Sequence, residues 1–506
     1  MDISANASQA PSRAWLRASI RAVAVMGALT SFALYECLRL SAITNNDIWW
    51  HLRTGLWILE NHAVPRNGLF SQSASLPWTD ANWGFEVLTA FFYRLGGLAG
   101  LPGLLMCLQI GVAVALFALA LSAGKKLWLA VGLCIAAQFC LMPLQPNPAL
   151  CSIGFLAVEL ALIAWARSTE DARALYWLPL VFAVWVNFDR QFTFGLLTLV
   201  IFCGALILER LRPQWGAGRS GTAHLEIRLS SVAAITGASI LATLVSPYGW
   251  HLYCLAWQNA THSAADRFFR DLHSLRFRQP QDYVLMLLTM TAYFALGRRR
   301  SRDLFLIMLL IVSTAISFRS MRDNWIVVVC SVAIIGSALR DADQAVSSVD
   351  KPVLRRNENL ATAVSVLLVL LAMLAWLPIR NDLHGGEFLL AKMEERFPLG
   401  ATDYISGNHL PQPIFNTYDW GGFLTFALPE YQVSIDGRSD LYGDDLDAAY
   451  FRLMQAEVPL RSDPTFARAQ TIILEADSPI AQALDTLPDF HEVYRDKLAI
   501  VFVRGK

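Results

Sequence analysis

The residues best suited to chemistry lie in a tryptophan-rich stretch that follows the first apolar segment. It reads Asn45-Asn46-Asp47-Ile48-Trp49-Trp50-His51-Leu52-Arg53. Asp47 and His51 are four residues apart, so on a helix they share one face. A carboxylate held partly away from water acquires a raised pKa that suits a general base, and His51 or Arg53 would hold it in place. The alternative is structural, because Asp47 also fits the N-cap of a helix that begins at Ile48.

Two further carboxylates, Asp80 and Glu86, follow in the same loop, each shortly after a tryptophan. Acidic residues often serve structure in turns and at helix starts, and both positions fit that description. Next to a general base they would instead contact the substrate, and Glu86 is the candidate for that role.

Positive charge that could meet a phosphate group occurs late in the membrane half. Arg319 and Arg322 lie between two apolar segments, and His273 precedes them in the same outer region. Guanidinium groups offer paired donors that match phosphate oxygens, so this pattern indicates a phosphate clamp. An Arg–Asp pair that packs the helices together explains the pattern equally well.

The C-terminal tail holds two dense polar segments, residues 415–422 and 434–443, which contain Asp419, Asp436 and Arg438. Both segments are typical of strand ends that enter turns, where Asp and Gly serve structure. Loop tips are also where binding residues concentrate, so all three side chains are candidates for substrate binding.

The solvent of most of this chain is a bilayer. The 506 residues are 55% hydrophobic and only 16% charged, whereas an ordinary soluble domain carries roughly 25% charged residues. Lys+Arg and Asp+Glu are 41 each, and no nucleic-acid-binding motif occurs, so no nucleic-acid partner is expected. The membrane-crossing runs number about eleven; they are Arg17–Leu40, Leu98–Ala123, Leu127–Pro143, Leu150–Ala166, Leu175–Phe188, Phe192–Leu208, Leu229–Val245, Tyr283–Leu296, Leu304–Phe318, Trp325–Leu339 and Leu360–Leu377.

The distribution of positive charge sets the orientation. Arg13, Arg17 and Arg21 flank the first run and place the N-terminus in the cytoplasm. Alternation from that start puts most Lys and Arg of the membrane half in cytoplasmic loops, and an odd number of spans puts the tail outside. We therefore predict a multi-pass protein of the bacterial inner membrane, surrounded by membrane lipids.

The predicted fold is a polytopic α-helical bundle followed by a small extracytoplasmic α/β domain. Residues 1–379 form the membrane domain, with a first outer loop at 41–83, and residues 380–506 form the outer domain. The tail has no cysteine and the chain has no zinc-ligand spacing, so neither a disulfide scaffold nor a zinc site is expected. The expected strands and helices of the tail are Ile414–Asn416, Gln432–Ile435, Thr471–Leu474 and Leu498–Val503, and Trp420–Leu428 and Ile480–Leu487.

The first outer loop is expected to contain an amphipathic helix from Ile48 to Leu59 that lies in the membrane interface. Trp49, Trp50 and Trp57 would then be at headgroup depth.

Three stretches of the chain resemble a group of bacterial polytopic membrane proteins. The stretches run from Asp47 to Gly55, from Asp419 to Gly422 and from Ile435 to Ser439. Those proteins are similar in layout to the GT-C superfamily of glycosyltransferases, which have a cytoplasmic N-terminus, a catalytic acid in the first outer loop, and often an outer C-terminal domain. The resemblance implies that Asp47 is the catalytic aspartate.

The same resemblance implies transfer of a sugar from a polyprenyl-phosphate donor on the outer face, because nucleotide sugars are absent there. Asp47 would deprotonate the acceptor hydroxyl, and Arg319 and Arg322, with His273, would neutralise the leaving phosphate. The acceptor is a glycan, a lipid or a protein. The first loop lacks the adjacent acids that some GT-C enzymes use with a metal ion, so no cofactor is expected, although a divalent metal stays open.

Two other functions are compatible with the sequence. A transporter or non-catalytic membrane subunit for polysaccharide export would explain the bundle. It gives no role to the tryptophan-rich loop, and the paired intramembrane charges typical of transporters are missing. A lipid-linked polymerase or ligase shares the donor class and uses outer-face Arg and His.

Overall fold

The computed structural model describes residues 10–124, 126–169, 171–211, 229–261, 272–298, 303–344, 372, 387–485 and 487–505. Helices dominate the membrane half of this part of the chain. Their bounds are α1 Ala10–Arg39, α2 Ile48–Asn61, α3 Trp83–Gly96, α4 Gly100–Gly124, α5 Leu127–Cys140, α6 Ala149–Thr169, α7 Leu178–Trp185, α8 Phe192–Leu211, α9 Leu229–Ala242, α10 His251–Thr261, α11 Pro280–Arg298, α12 Leu304–Arg319 and α13 Trp325–Gln344.

Helical structure is found at ten of the predicted apolar runs. Among the described residues, five stretches are long and apolar enough to cross a membrane, and four shorter apolar helices accompany them. The protein is therefore a multi-pass membrane protein. The eleventh predicted run, Leu360–Leu377, lies outside the described residues apart from Ala372.

Helix α4 occupies the middle of the bundle. It contacts α1, α3, α5, α6 and α13, and it is apolar on every side, as a helix surrounded by other helices must be. Leu101, Leu105, Leu116 and Leu119 are all essentially buried. The outer helices are arranged around this axis and carry the loops that form the site.

The C-terminal part is the predicted α/β domain. Its elements are α14 Glu387–Glu394, α15 Leu399–Gly407, β1 Ile414–Asn416, α16 Tyr418–Ala427, α17 Ser439–Met454, α18 Pro464–Arg468, β2 Thr471–Glu475, α19 Pro479–Leu484, β3 Phe490–Arg495 and β4 Ala499–Arg504. The four strands form one sheet in the order β1-β2-β4-β3. Strands β1 and β2 are parallel, with Ile414 opposite Thr471, whereas β4 is antiparallel to both of its neighbours.

Three predictions for the tail need correction. Gln432–Ile435 is not a strand, because Val433 forms only an isolated bridge with the first outer loop and the neighbouring backbone groups bond to side chains. Strand β3 was not predicted. Helix α17 begins at Ser439, inside a segment that was interpreted as a turn. A kink at Gly443, where φ is 70°, interrupts the helical periodicity of its residues.

Helix α2 is present as predicted, but two of its three tryptophans are buried against protein. Trp49 is fully buried and Trp50 is 7% exposed. The Trp49 ring packs edge-on against Phe423 and Phe397 of the C-terminal part, with ring centroids 5.5 and 5.7 Å away. Replacing a buried tryptophan with alanine typically costs about 3–5 kcal/mol, so Trp49 is an anchor between the two domains rather than a lipid contact.

The first outer loop and the C-terminal domain also share backbone hydrogen bonds. The amide of Gln72 donates to the carbonyl of Val433 at 2.9 Å, and the amide of Val433 donates to the carbonyl of Phe70 at 3.1 Å. One hydrophobic core continues from the bundle through α2 into the C-terminal domain. The domain is therefore fixed over the loop that carries Asp47.

Candidate functional site

A cavity of about 320 Å³ lies where the bundle, the first outer loop and the C-terminal domain meet. Most of the residues that line it are polar. The charged and hydrogen-bonding residues of the lining include Asp47, Trp50, His51, Asp80, Asn82, Asp189, Arg190, Arg322, Tyr418, Arg438, Asp440 and Asp444.

Asp47 lies at the N-terminus of α2 and faces this cavity. The capping role is taken by Asn45, whose Oδ1 accepts hydrogen bonds from the amides of Asp47 (2.9 Å) and Ile48 (3.0 Å). Within the described part of the chain, the Asp47 carboxylate makes no capping hydrogen bond. The structure thus leaves Asp47 without the role that the structural explanation assigned to it.

Glycines bring the three motif segments together around Asp47. A Cβ atom on Gly421 would collide with the Ile435 carbonyl, and one on Gly422 would be 2.8 Å from the Asn46 carbonyl. Gly437 lies against the carboxylate of Asp47 in the same way. Because glycine has no side chain, the backbones approach closely enough for one site to form.

His51, Glu86 and Asp80 form a buried polar group at one wall of the cavity. Nδ1 of His51 and Oε1 of Glu86 are 3.2 Å apart and share a hydrogen bond. Burial lowers the pKa of His51 to about 3, so the imidazole is neutral and the contact is not an ion pair. The structure therefore links His51 to Glu86 as a hydrogen-bonded pair beside the cavity.

Asp80 and Glu86 lie close enough for their carboxyl groups to interact. Burial raises the pKa of Asp80 to about 6, although the hydrogen bond from the Asn82 amide and the charge of Arg438 oppose this shift. Two adjacent buried carboxyl groups cannot both be ionised cheaply, so a proton on this pair is favoured. The predicted turn at Asp80 is present, since its Oδ1 accepts the Asn82 amide at 2.9 Å.

Arg438 and Asp436 form a buried, two-pronged ion pair. Nε of Arg438 donates to Oδ1 at 2.9 Å and Nη2 donates to Oδ2 at 2.6 Å. The guanidinium also lies over the ring of Trp78, 4.9 Å from its centroid. Arg438 lines the cavity, while Asp436 is fully buried behind it and acts through Arg438.

A second cationic wall is formed by Arg190 and Arg322. Arg190 pairs with Asp440 of α17, which joins the rim of the bundle to the C-terminal domain. Arg322 is less constrained, because its Nε is 3.7 Å from Asp323 and that carboxylate also accepts a hydrogen bond from Gln191. The Arg322 side chain is 38% exposed, so it keeps donors for a ligand.

Four predicted site residues lie away from the cavity lining. Arg319 is exposed at the end of α12, Asp419 is exposed in the first turn of α16, and the Arg53 guanidinium lies over the ring of Phe70. His273 pairs with Arg276. The structure thus brings Asp47, His51, Arg322 and Arg438 together, with Glu86 and Asp436 directly behind them.

The sequence interpretation missed Asp189, Arg190 and Asp440 as parts of the site. Asp189 and Arg190 end an apolar run, where charges often simply reach toward water. In the structure the Ser152 hydroxyl donates to Asp189 at 2.6 Å, and burial raises the pKa of Asp189. The signal available in the sequence was an acid next to a base at the outer end of a span.

No group of three metal-ligating side chains comes together among the residues that the structure describes. The acids of the cavity are instead interleaved with arginines, an arrangement that suits a ligand carrying both an anionic group and hydroxyl groups.

No protein-family model matches the sequence, and no curated protein matches it. Solved structures do resemble it. ArnT from Cupriavidus metallidurans bound to undecaprenyl phosphate is 14% identical, with a TM-score of 0.44, over 93% of this chain and 97% of that one. An oligosaccharyltransferase from Archaeoglobus fulgidus, tethered to an acceptor peptide, is 10% identical, with a TM-score of 0.49, over 95% of this chain and 74% of that one. Both are GT-C glycosyltransferases, and at this level of similarity the likeness bears on neither substrate nor mechanism.

Proposed function

We propose that this protein is a membrane glycosyltransferase that moves a sugar from a polyprenyl-phosphate donor to an acceptor hydroxyl on the outer face of the inner membrane. One observation carries the proposal: Asp47 and Arg322 line the same cavity at the junction of the bundle and the C-terminal domain. Inverting transfer needs a base for the acceptor and a cation for the leaving phosphate, and this cavity holds both.

Asp47 acts as the general base. Its carboxylate takes the proton of the acceptor hydroxyl while the oxygen attacks the anomeric carbon of the donor. The bond between that carbon and the phosphate oxygen breaks in the same step, and the polyprenyl phosphate departs with the electron pair. The anomeric centre is inverted, because the acceptor attacks the face opposite the leaving group.

Arg322 carries the developing charge of the leaving phosphate, and Arg190 supports the same wall. Burial favours a lower pKa for Arg190, but Asp440 and Asp189 more than offset this and raise it, so the guanidinium stays charged. Arg319 was the expected partner of Arg322. Because Arg319 is exposed outside the cavity lining, Arg190 takes its place in the proposed clamp.

The test is a transfer assay with the full-length protein in proteoliposomes. Undecaprenyl phosphate carrying one of several radiolabelled sugars is supplied with an extract of cell-envelope lipids and glycans as acceptors. We expect labelled product and released undecaprenyl phosphate with one of the donors. If every donor stays intact while the protein exports intact glycan across the liposome membrane, the transporter alternative replaces this proposal.

A further inference from the structure

We infer that Trp50, Trp78, Asn82 and Arg438 form the subsite for the sugar unit of the donor, apart from the Arg322 wall that holds its phosphate. This inference rests on the proposed function and names the residues that would recognise the transferred sugar. All four residues line the cavity, and Trp50, Asn82 and Arg438 each contribute a hydrogen-bonding atom.

Three buried polar atoms of this group have no hydrogen-bond partner within the described residues. They are the donors Nε1 of Trp50 and Nη1 of Arg438, and the acceptor Oδ1 of Asn82. Trp50 and Arg438 are only 7% and 2% exposed. Buried donors and acceptors in proteins are nearly always paired, and leaving one unpaired is costly. Unpaired atoms of both kinds around one cavity therefore indicate a ligand that accepts and donates hydrogen bonds.

The pairing of Arg438 with Asp436 favours a neutral ligand group on this side of the cavity. Asp436 binds Arg438 through two of its nitrogens and neutralises the guanidinium. What remains is the directional donor Nη1, which suits a hydroxyl or carbonyl oxygen better than it suits a phosphate. Arg322, whose Nε is 3.7 Å from Asp323, is paired less closely than Arg438. The two arginines thus divide the cavity into a neutral and an anion-binding side.

The two tryptophans set the shape of this subsite. The rings of Trp50 and Trp78 have centroids 6.3 Å apart and are inclined by 67°, and both side chains are buried. Each hydroxyl group of a sugar is both donor and acceptor, so it matches the unpaired donors of Trp50 and Arg438 and the unpaired acceptor of Asn82.

Binding of undecaprenyl phosphate with and without an attached sugar tests this subsite. The full-length protein in nanodiscs is titrated with undecaprenyl phosphate and with its glucose, mannose, galactose, N-acetylglucosamine and arabinose conjugates. We expect at least one conjugate to bind more tightly than undecaprenyl phosphate. Trp50→Phe, which removes the Nε1 donor, should weaken that conjugate by about three- to tenfold, the value of one neutral hydrogen bond, and leave undecaprenyl phosphate unchanged.

Two further variants keep the result interpretable. Trp57→Phe makes the same change on the same helix at a residue outside the cavity lining, and it should alter neither affinity. Arg438→Lys keeps a cation for Asp436 but lacks Nη1, and it should reproduce the selective loss if Trp50→Phe fails to fold. Thermal unfolding of each variant checks the fold.

The outcomes separate the subsite from the proposed function. If the wild type binds neither undecaprenyl phosphate nor any conjugate, the subsite and the proposed function are both overturned. If it binds undecaprenyl phosphate as tightly as every conjugate, or if Trp50→Phe weakens both lipids equally, the subsite alone is overturned. If donor binding is unchanged and only the KM of the acceptor rises, these residues bind the acceptor and the assignment to the donor is wrong.

Discussion

Gly437 of the C-terminal domain lies directly against the carboxylate of Asp47, close enough that a Cβ atom at Gly437 would collide with Oδ1 of Asp47. The same Cβ would be 2.9 Å from Nε1 of Trp50. A residue of the C-terminal domain therefore sets the space in which the proposed base sits, although nearly 400 residues separate the two in the sequence.

Gly437→Ala should impair transfer while the protein still folds. The added methyl group must push the short Asp47 side chain aside, and a misplaced base typically loses most of its roughly 10²–10⁴-fold contribution to rate. Gly407→Ala is the matched control, because no atom lies within 4 Å of a Cβ at Gly407. Equal transfer rates for the two variants would show that Asp47 is not held by this contact.

The two arginines between α12 and α13 should differ in their effect on the phosphate. Arg322 lines the cavity and Arg319, three residues earlier, is exposed. Arg322→Ala should weaken binding of undecaprenyl phosphate by roughly 10- to 100-fold, the value of charged hydrogen bonds, and Arg322→Lys should restore it only in part. Arg319→Ala should bind the lipid normally. The helix-packing explanation predicts the reverse pattern for Arg322, with normal binding and a lower unfolding temperature.

Asp80 and His51 should give opposite pH dependences to stability. Burial raises the pKa of Asp80 from 3.8 to about 6, so the folded protein holds more protons between these values, and the free energy of unfolding falls as pH rises through that window. Burial lowers the pKa of His51 from 6.5 to about 3, so His51 makes the free energy of unfolding rise over an overlapping window.

Asp80→Asn should therefore remove the contribution of Asp80 to this fall and leave the rising contribution of His51. The stability of the wild type relative to Asp80→Asn should decline as the pH rises from about 4 to about 6.5. Thermal unfolding in detergent across this range measures the difference. A difference that stays constant with pH would mean that Asp80 is not protonated in the folded protein.

The charge distribution predicts a membrane topology that a reporter fusion can check. An odd number of spans from a cytoplasmic N-terminus places the C-terminal domain outside. Alkaline phosphatase fused after Lys506 should be active, whereas a cytoplasm-specific reporter at the same place should be silent. The opposite result would put Asp47 and the lipid-linked donor on different sides of the membrane.

The helices of the membrane half were readily predicted, because a run of apolar residues has few stable alternatives in a bilayer. The helix that starts at Ile48 was also predicted. The surroundings of this helix were not predicted. Trp49 is buried by Phe397 and Phe423, which come from a domain more than 340 residues away. Tryptophans in an outer loop have the same pattern whether they meet lipid or protein.

The candidate site was likewise predicted only in part. Asp47, Arg322 and Arg438 were identified from residue type and position, since each stands in a short polar segment next to an apolar run or at a predicted strand end. Arg190 and Asp440 were missed because each is ordinary alone, and only the fold joins them. Arg319 was included because sequence spacing does not separate two arginines three residues apart, whereas the end of α12 leaves one exposed and the following turn directs the other to the cavity.

The measurement that tests the account most directly is sugar transfer by Asp47→Asn in proteoliposomes. Asn keeps the size of the side chain and caps a helix about as well as Asp, and Asn45 already accepts the helix amides here, so expression and unfolding temperature should be normal. A general base contributes on the order of 10²–10⁴ in rate, so transfer should fall by about that factor while undecaprenyl phosphate still binds. A folded Asp47→Asn protein that transfers sugar at the wild-type rate would show that Asp47 is not the base.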